Sequence, residues 1–289
     1  MSPDEYCQRK AAQSGTSLHY ALLFLPPDKR QALTALHAFR QEAEDIVEQT
    51  SEASVARMKL AWWRGQVEAI FSGQADHPVA IALAQHALAY GLQAEPLHAV
   101  IEASEMNLDR FRYPDWAALQ QYCWLAAARV NGLTAGILGQ TSPQTRTFAE
   151  SLGLALQMTT LLADVGEDAR RGRIYLPADE MERHGVTVDD VLDGHHSTQF
   201  QALMDEQAVR TRALFGEAMR ALPEADRRAQ RPNLMLAAIH WALLHELQRD
   251  GWHVLDQRIA LTPIRKFWLA WKTWVGGGRR LMRKLSAGH

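Results

Sequence analysis

Cysteine is scarce in this chain of 289 residues: Cys7 and Cys123 are the only two. Two thiols give a chain of this size no disulfide framework, and they suit a reducing compartment. A CxxC pair and a Cys/His zinc pattern are missing as well. Net charge is small, at −2, so no global basic field invites nucleic acid. No run of about 18 uncharged apolar residues occurs, which excludes an expected membrane-spanning helix. The start, Met-Ser-Pro-Asp-Glu-Tyr, has no basic stretch leading into an apolar one, so no signal peptide is expected. Together these absences point to a cytoplasmic protein. Strand-like alternation with hairpin turns is missing. So are the glycine motifs of dinucleotide and P-loop sites, and no nicotinamide cofactor is expected. The twelve histidines form no HExxH pattern.

What is present is helix after helix. Ala, Leu, Gln, Glu and Arg dominate, and 47% of residues are hydrophobic, enough for a large core. Segments near 4–13, 28–49, 52–72, 78–91, 95–108, 115–138, 143–168, 198–221 and 231–251 carry apolar residues at three-to-four spacing. Proline and glycine punctuate them, as at Pro26-Pro27, Gly91, Pro114 and Pro232, and His77-Pro78 reads as a helix start. No linker divides the chain. The expectation is an all-α fold with helices around a central cavity: one domain over 1–260, then a basic, Trp-rich segment over 261–289.

Two acidic pairs stand on half-apolar helices. Asp164 and Asp168 follow the apolar stretch Leu152–Leu162, and Glu44 and Glu48 follow Leu33, Leu36 and Phe39, with Asp45 between them. Spacing of four puts each pair on one helix face. Paired carboxylates beside apolar residues need a counter-charge. A hard divalent cation supplies one, since Mg²⁺ joins one or two carboxylates to a substrate phosphate. A solvated helix end, with the acids paired to Arg170, Arg171 or Arg173, is the alternative.

The run Asp164-Val-Gly-Glu-Asp168 with Arg-Gly-Arg173-Ile-Tyr-Leu-Pro177 also resembles the signature of a known family. So do Ser14-Gly-Thr-Ser17 leading to Pro27, Ala35–Glu48, Leu60-Ala-Trp-Trp-Arg64, Glu105-Met-Asn-Leu108, Tyr122-Cys123, Gln157–Pro177 and Gly251–Lys266. The chain resembles the squalene/phytoene synthase family almost end to end, nearest its bacterial presqualene diphosphate synthases. That resemblance implies an isoprenoid synthase-type all-α bundle and a head-to-head (1′-1) joining of two farnesyl, or longer, diphosphates. It implies Mg²⁺ held by Glu44, Glu48, Asp164 and Asp168, with Tyr122, Asp164 and Asp168 catalytic. Ser14, Ser17 and Gln157 match pocket positions, and Arg258 matches a late diphosphate-binding arginine.

The departures from the family pattern cluster. The first-motif acids are Glu rather than Asp. Gln41 stands at a usual diphosphate-binding arginine, which leaves Arg40, about 100° around the helix, as its substitute. His37 and Trp241 stand at usual tyrosines, Asn107 at a usual aspartate, Thr160 at a usual asparagine and Ala163 at a usual arginine. The stretch Ala126-Ala-Ala-Arg-Val-Asn131 has lost two glycines. Fewer cations for a diphosphate keep a second function open: a non-catalytic homologue that binds a prenyl lipid or a protein partner, like family members that serve respiratory-complex assembly.

The C-terminal segment carries Phe267, Trp271 and Trp274 at helical spacing, with Arg265, Lys266, Lys272, Arg279, Arg280, Arg283 and Lys284. No acidic residue follows Asp256. Over 265–284 this suits either a peripheral helix on anionic lipid, on the inner face of the membrane, or a core-packing helix with a basic tail. Trp62 and Trp63 read as core and pocket wall, Cys7 and Cys123 as small buried groups, and His19 and His37 as core histidines within reach of the pocket.

Overall fold

The computed structural model describes residues 1–13, 17–278, 281, 282 and 285. Ser14 and the basic residues Arg279, Arg280, Arg283 and Lys284 lie outside them. The described chain is almost all helix. The N-terminal part holds α1 (Pro3–Gln13), α2 (Leu18–Leu22), α3 (Pro27–Gln49), α4 (Ala53–Ser72), α5 (Pro78–Tyr90) and α6 (Ala94–Asp109). The middle holds α7 (Trp116–Cys123), a π-helical turn (Trp124–Ala128), α8 (Arg129–Leu138), α9 (Pro143–Ala163) and α10 (Val165–Arg170). The rest holds α11 (Ala178–His184), α12 (Val188–Leu192), α13 (Thr198–Ala221), α14 (Arg231–Arg249) and α15 (Pro263–Gly276).

Local chemistry sets many boundaries. Proline opens α3, α5, α9 and α15, where its missing N–H is no loss. His77 caps α5 through its ring, accepting from Val79 N at 3.2 Å. Asp115, Ser142 and Ser197 cap α7, α9 and α13 in the same way. Gly73 ends α4 at a φ of 73°, a conformation that costs glycine little.

α9 is the axis of the molecule, packed by α13, α8 and α14. Its Phe148, Ala149, Leu152, Ala155, Met158 and Leu162 are fully buried. Gly153 lets the π turn come close, because a Cβ there would lie 2.8 Å from Ala128 Cα and 2.9 Å from Asn131 Cβ. The buried Asp226 ties the α8–α9 loop to the start of α14. It accepts from Thr141 N at 2.8 Å, from the Thr141 hydroxyl at 2.6 Å and from the Thr145 hydroxyl. Burial pushes its carboxyl up, but these hydrogen bonds outweigh that and hold it below the usual range.

Three features depart from the sequence reading. The expected helix over 143–168 breaks at Asp164 (φ −102°, ψ 10°) and restarts as α10. Asp168 N still donates to Asp164 O at 2.8 Å, so the two acids keep their one-turn spacing. A short parallel pair, β1 (Arg112–Tyr113) with β2 (Ile174–Pro177), links the chain before α7 to the chain after α10. Trp252, fully buried, takes a positive φ of 62°, and its indole donates to Asp205 at 3.0 Å. The connection it begins presses on α10. A Cβ at Gly166 would lie 2.7 Å from Leu255 O and closer still to Val254 O.

α15 packs on α14 and α2 through Ala270 and Thr273. Trp274 is turned inward, stacked on Phe24 with centroids 5.2 Å apart and under the Arg231 guanidinium at 5.4 Å. Its place on the expected outward face is taken by Trp268, which is half-exposed. Trp63 is core, edge-on to Phe39, but Trp62 is half-exposed. Both cysteines are buried and free.

Candidate active site

A cavity of about 250 Å³ lies between α2, α3, the π turn, α8, α9 and α14. Leu33, Leu36, Val130, Leu156 and Leu236 make its apolar wall, and Ser17, His37, Arg40, Gln41, Glu44 and Gln157 its polar one. Leu18 and His37 also line a larger cavity of about 650 Å³ between α1, α2 and α3. The larger space is lined by none of the acidic motif residues, and the smaller by Glu44 alone among them.

Arg40 dominates the polar wall. Its Nε donates to Glu44 Oε1 at 2.7 Å and its Nη2 to Gln157 Oε1 at 2.8 Å, which links α3 to α9. The helical angle between Arg40 and Gln41 does not keep Arg40 out of the cavity: both line it. Glu44 is therefore ion-paired to its own helix's arginine. Asp45 faces the other way and pairs with Lys10 at 2.6 Å.

Glu48, one turn further, meets the second motif. Arg171 bridges them, at 3.2 Å from Glu48 Oε1 and 3.1 Å from Glu167 Oε1. The ion-pair alternative thus holds for Arg171 with Glu48 and Glu167. Neither Asp164 nor Asp168 takes a hydrogen bond or ion pair from a described side chain. Burial raises the Asp164 carboxyl, the nearby charges of Glu167 and Glu48 add to this, and Arg258 and Arg171 oppose it. Asp168 is pushed up to about 7, first by burial and then by the charge of Asp164. Glu48 is raised by burial. These shifts mark a cluster short of positive charge.

Tyr122 is buried beside this mouth, its ring stacked on Tyr175 at 5.3 Å. Asn107 Nδ2 donates to its hydroxyl at 3.0 Å, while the Tyr175 hydroxyl donates to Asn107 Oδ1 at 3.0 Å. Burial holds the Tyr122 hydroxyl protonated, far above its ordinary range. Thr160 lines the cavity, but its hydroxyl donates back to Leu156 O at 3.1 Å. Asn131 occupies the room beside Gly153 and donates to Ala149 O. Arg258 is exposed, and its charge reaches Asp164. Ser17, Arg40, Glu44 and Gln157 thus share one cavity. Glu48, Asp164, Asp168, Tyr122 and Arg258 are not among its lining residues: Tyr122 feels the charges of Arg40 and Glu44, Glu48 that of Glu44, Asp164 those of Glu48 and Arg258, and Asp168 that of Asp164.

Trp241 lies outside the cavity, against Phe215 and His245. One site residue escaped the sequence reading. His240 lines the cavity from α14, its Nδ1 donating to Leu236 O at 2.9 Å. A histidine inside an apolar helical stripe was the available signal. Arg173 lies near Asp168 with a buried Nε that has no partner among the described residues.

Carboxylate and hydroxyl oxygens are the donors a hard cation takes. Among the described residues, no three His, Cys, Asp or Glu side chains sit closely enough to hold a metal alone. Asp164 and Asp168, raised mainly by burial and without a side-chain partner among the described residues, offer carboxylate oxygens to a cation that brings its remaining ligands with it.

A family profile described as Squalene/phytoene synthase matches residues 11–265. The chain belongs to the squalene/phytoene synthase family. It is 28% identical to 15-cis-phytoene synthase of Synechocystis over 92% of this chain and 84% of that protein. It is also 28% identical to the chloroplastic phytoene synthase 3 of Zea mays, over 90% of this chain but only 62% of the maize protein. Among solved structures it superposes on squalene synthase HpnC from Alicyclobacillus acidocaldarius with a TM-score of 0.77 and 25% identity, over 86% of this chain and 94% of the other. A dehydrosqualene synthase solved with a ligand gives 0.84 at 24% identity, over 95% and 96%. These likenesses establish the isoprenoid synthase-type all-α fold of this squalene/phytoene synthase family member.

Proposed function

We propose that the protein joins two prenyl diphosphates head to head, 1′ to 1, as a Mg²⁺-dependent transferase. The observation that supports this best is the chain of charge contacts from Glu48 to Asp164 and from Asp164 to Asp168, the two aspartates having no side-chain partner among the described residues. In this reading Glu48, Asp164 and Asp168 would hold Mg²⁺ together with the diphosphate, and the bound cation would offset charge developing on the leaving group. Arg40, hydrogen-bonded to Gln157, would give its guanidinium to the diphosphate and so leave Glu44 to the cation. Arg258 approaches the same diphosphate from the rim. Leu33, Leu36, Val130, Leu156 and Leu236 would keep water from the allylic cation, with Ser17 on the same wall and Tyr122, whose hydroxyl accepts from Asn107, close to Arg40.

The named products of the relatives divide between squalene-type and phytoene compounds, so chain length is the open choice. Incubation of purified protein and Mg²⁺ with farnesyl or geranylgeranyl diphosphate, followed by mass spectrometry of the lipid extract, decides it. A C30 cyclopropyl diphosphate or hydrocarbon identifies the squalene-type reaction, and a C40 product the phytoene type. No lipid product under conditions where an active relative turns over sinks the transferase reading.

One observation favours a second reading, a prenyl-lipid-binding or protein-assembly role without turnover. Both motifs are partly neutralised from within, by Arg40 on Glu44 and by Arg171 on Glu48 and Glu167. Farnesyl diphosphate that binds equally well with and without Mg²⁺, and stays unreacted, selects it.

A further inference from the structure

We propose that the outward face of α15 docks on an anionic lipid bilayer. This rests on the surface of the helix, independently of any turnover at the acidic site. α15 has two apolar stripes. One is buried through Ala270, Thr273 and Trp274. The other is Ile264, Phe267, Trp268, Trp271 and Val275, exposed by 82%, 46%, 51%, 47% and 63%. At 100° per residue these five fall within an arc of about 100°, a continuous strip roughly 16 Å long. Isolated exposed apolar residues are ordinary, but a strip of five that includes three aromatics marks a contact surface.

The charge around the strip selects the occupant. Lys272 lies over the Trp268 ring at 4.6 Å, and Arg265 on the same side is held by an ion pair to Glu246 at 2.6 Å. From Gln257 to the end of the sequence there are eight Lys and Arg residues and no Asp or Glu, although the whole chain is slightly acidic. Tryptophan beside Lys and Arg is the composition of a helix lying in a headgroup layer, where the ring has an apolar body and a polar N–H. Basic residues add attraction to anionic lipid. No described helix is long and apolar enough to cross a membrane, so the contact is peripheral. A groove of about 640 Å³ between α14 and α15, lined in part by Leu269, Trp271 and Val275, gives acyl chains room beside the strip.

The test uses the full chain and the variant Phe267→Ser/Trp268→Ser/Trp271→Ser, whose substitutions fall on half-exposed positions. Both are sedimented with phosphatidylglycerol–phosphatidylcholine vesicles and with pure phosphatidylcholine vesicles. The parent binds the anionic vesicles, 0.5 M salt weakens that binding, and indole fluorescence is quenched by brominated acyl chains. The variant binds at least about tenfold more weakly, with unchanged circular dichroism and melting temperature. Binding that ignores the anionic lipid, or that the variant leaves intact, overturns the proposal. So does a parent that binds no vesicle and runs as a dimer that the variant turns into a monomer, since the strip then faces a second copy of the chain.

Discussion

Burial shifts one aspartate and two histidines in opposite directions. Asp168 is buried enough to be pushed up to about 7. A carboxyl raised above its unfolded value favours folding at low pH, and that contribution fades as pH climbs through 7. Asp168→Asn is therefore expected to leave the ligand-free melting temperature at pH 8 level or higher while turnover falls at least about 10²-fold. A fall in both would make Asp168 a structural residue. His37 and His240 behave inversely. Burial lowers each to about 4, with Arg40 adding to the effect at His37. A histidine depressed in the folded state stabilises fully above its ordinary value near 6.5, and that contribution is lost as pH falls towards 4. Denaturant titrations between pH 7 and 4.5 are expected to show a steep loss of stability, reduced by about 2 kcal/mol in His240→Gln. Some of this was readable in advance. The i, i+4 pairing of Arg40 with Glu44 follows from spacing, but its reach to Gln157, 117 positions away, needed the folded chain.

At the scale of elements, the helices were legible because their ends are written in proline, glycine and capping residues. α5, capped by His77 before it and Gly91 after it, is a clear case. The break at Asp164 was not legible, because the surviving bond from Asp168 N to Asp164 O preserves the apolar rhythm. The π turn escaped for a related reason: its Ala126-Ala-Ala core suits any helical winding. In α15 the obstacle was symmetry. With an apolar stripe on each side, spacing cannot say which faces inward, and packing against Phe24 chose Trp274 over Trp268. Asp226 shows a further kind of illegibility, a lone acid whose partners lie 81 to 85 positions away. Asp226→Ala leaves the Thr141 and Ser142 N–H groups without their acceptor and is expected to cost about 3 kcal/mol, read from urea unfolding.

At the scale of the whole molecule, the all-α class and central cavity followed from periodicity and from what was missing, and family membership from the second acidic motif. The site's electrostatic balance did not follow, because it depends on which cations the fold brings within reach. Arg171 closes on Glu48 from 123 positions away. The connection after α14 works at the same scale. Trp252 holds a backbone conformation that costs an ordinary side chain on the order of 1 kcal/mol, and the residues after it lean on Gly166 through main-chain carbonyls. A rigid carbonyl cannot step aside as a side-chain tip can. Surface connections usually tolerate changes in length, but this one behaves as a fixed spacer. Inserting two glycines after Asp250 is expected to lower prenyl diphosphate affinity at least about tenfold, measured by calorimetry, while the same insertion after Gly194 leaves affinity within about twofold. The molecule's tolerance for length is thus uneven, and the spacing of its second acidic motif is set by a turn more than eighty positions downstream.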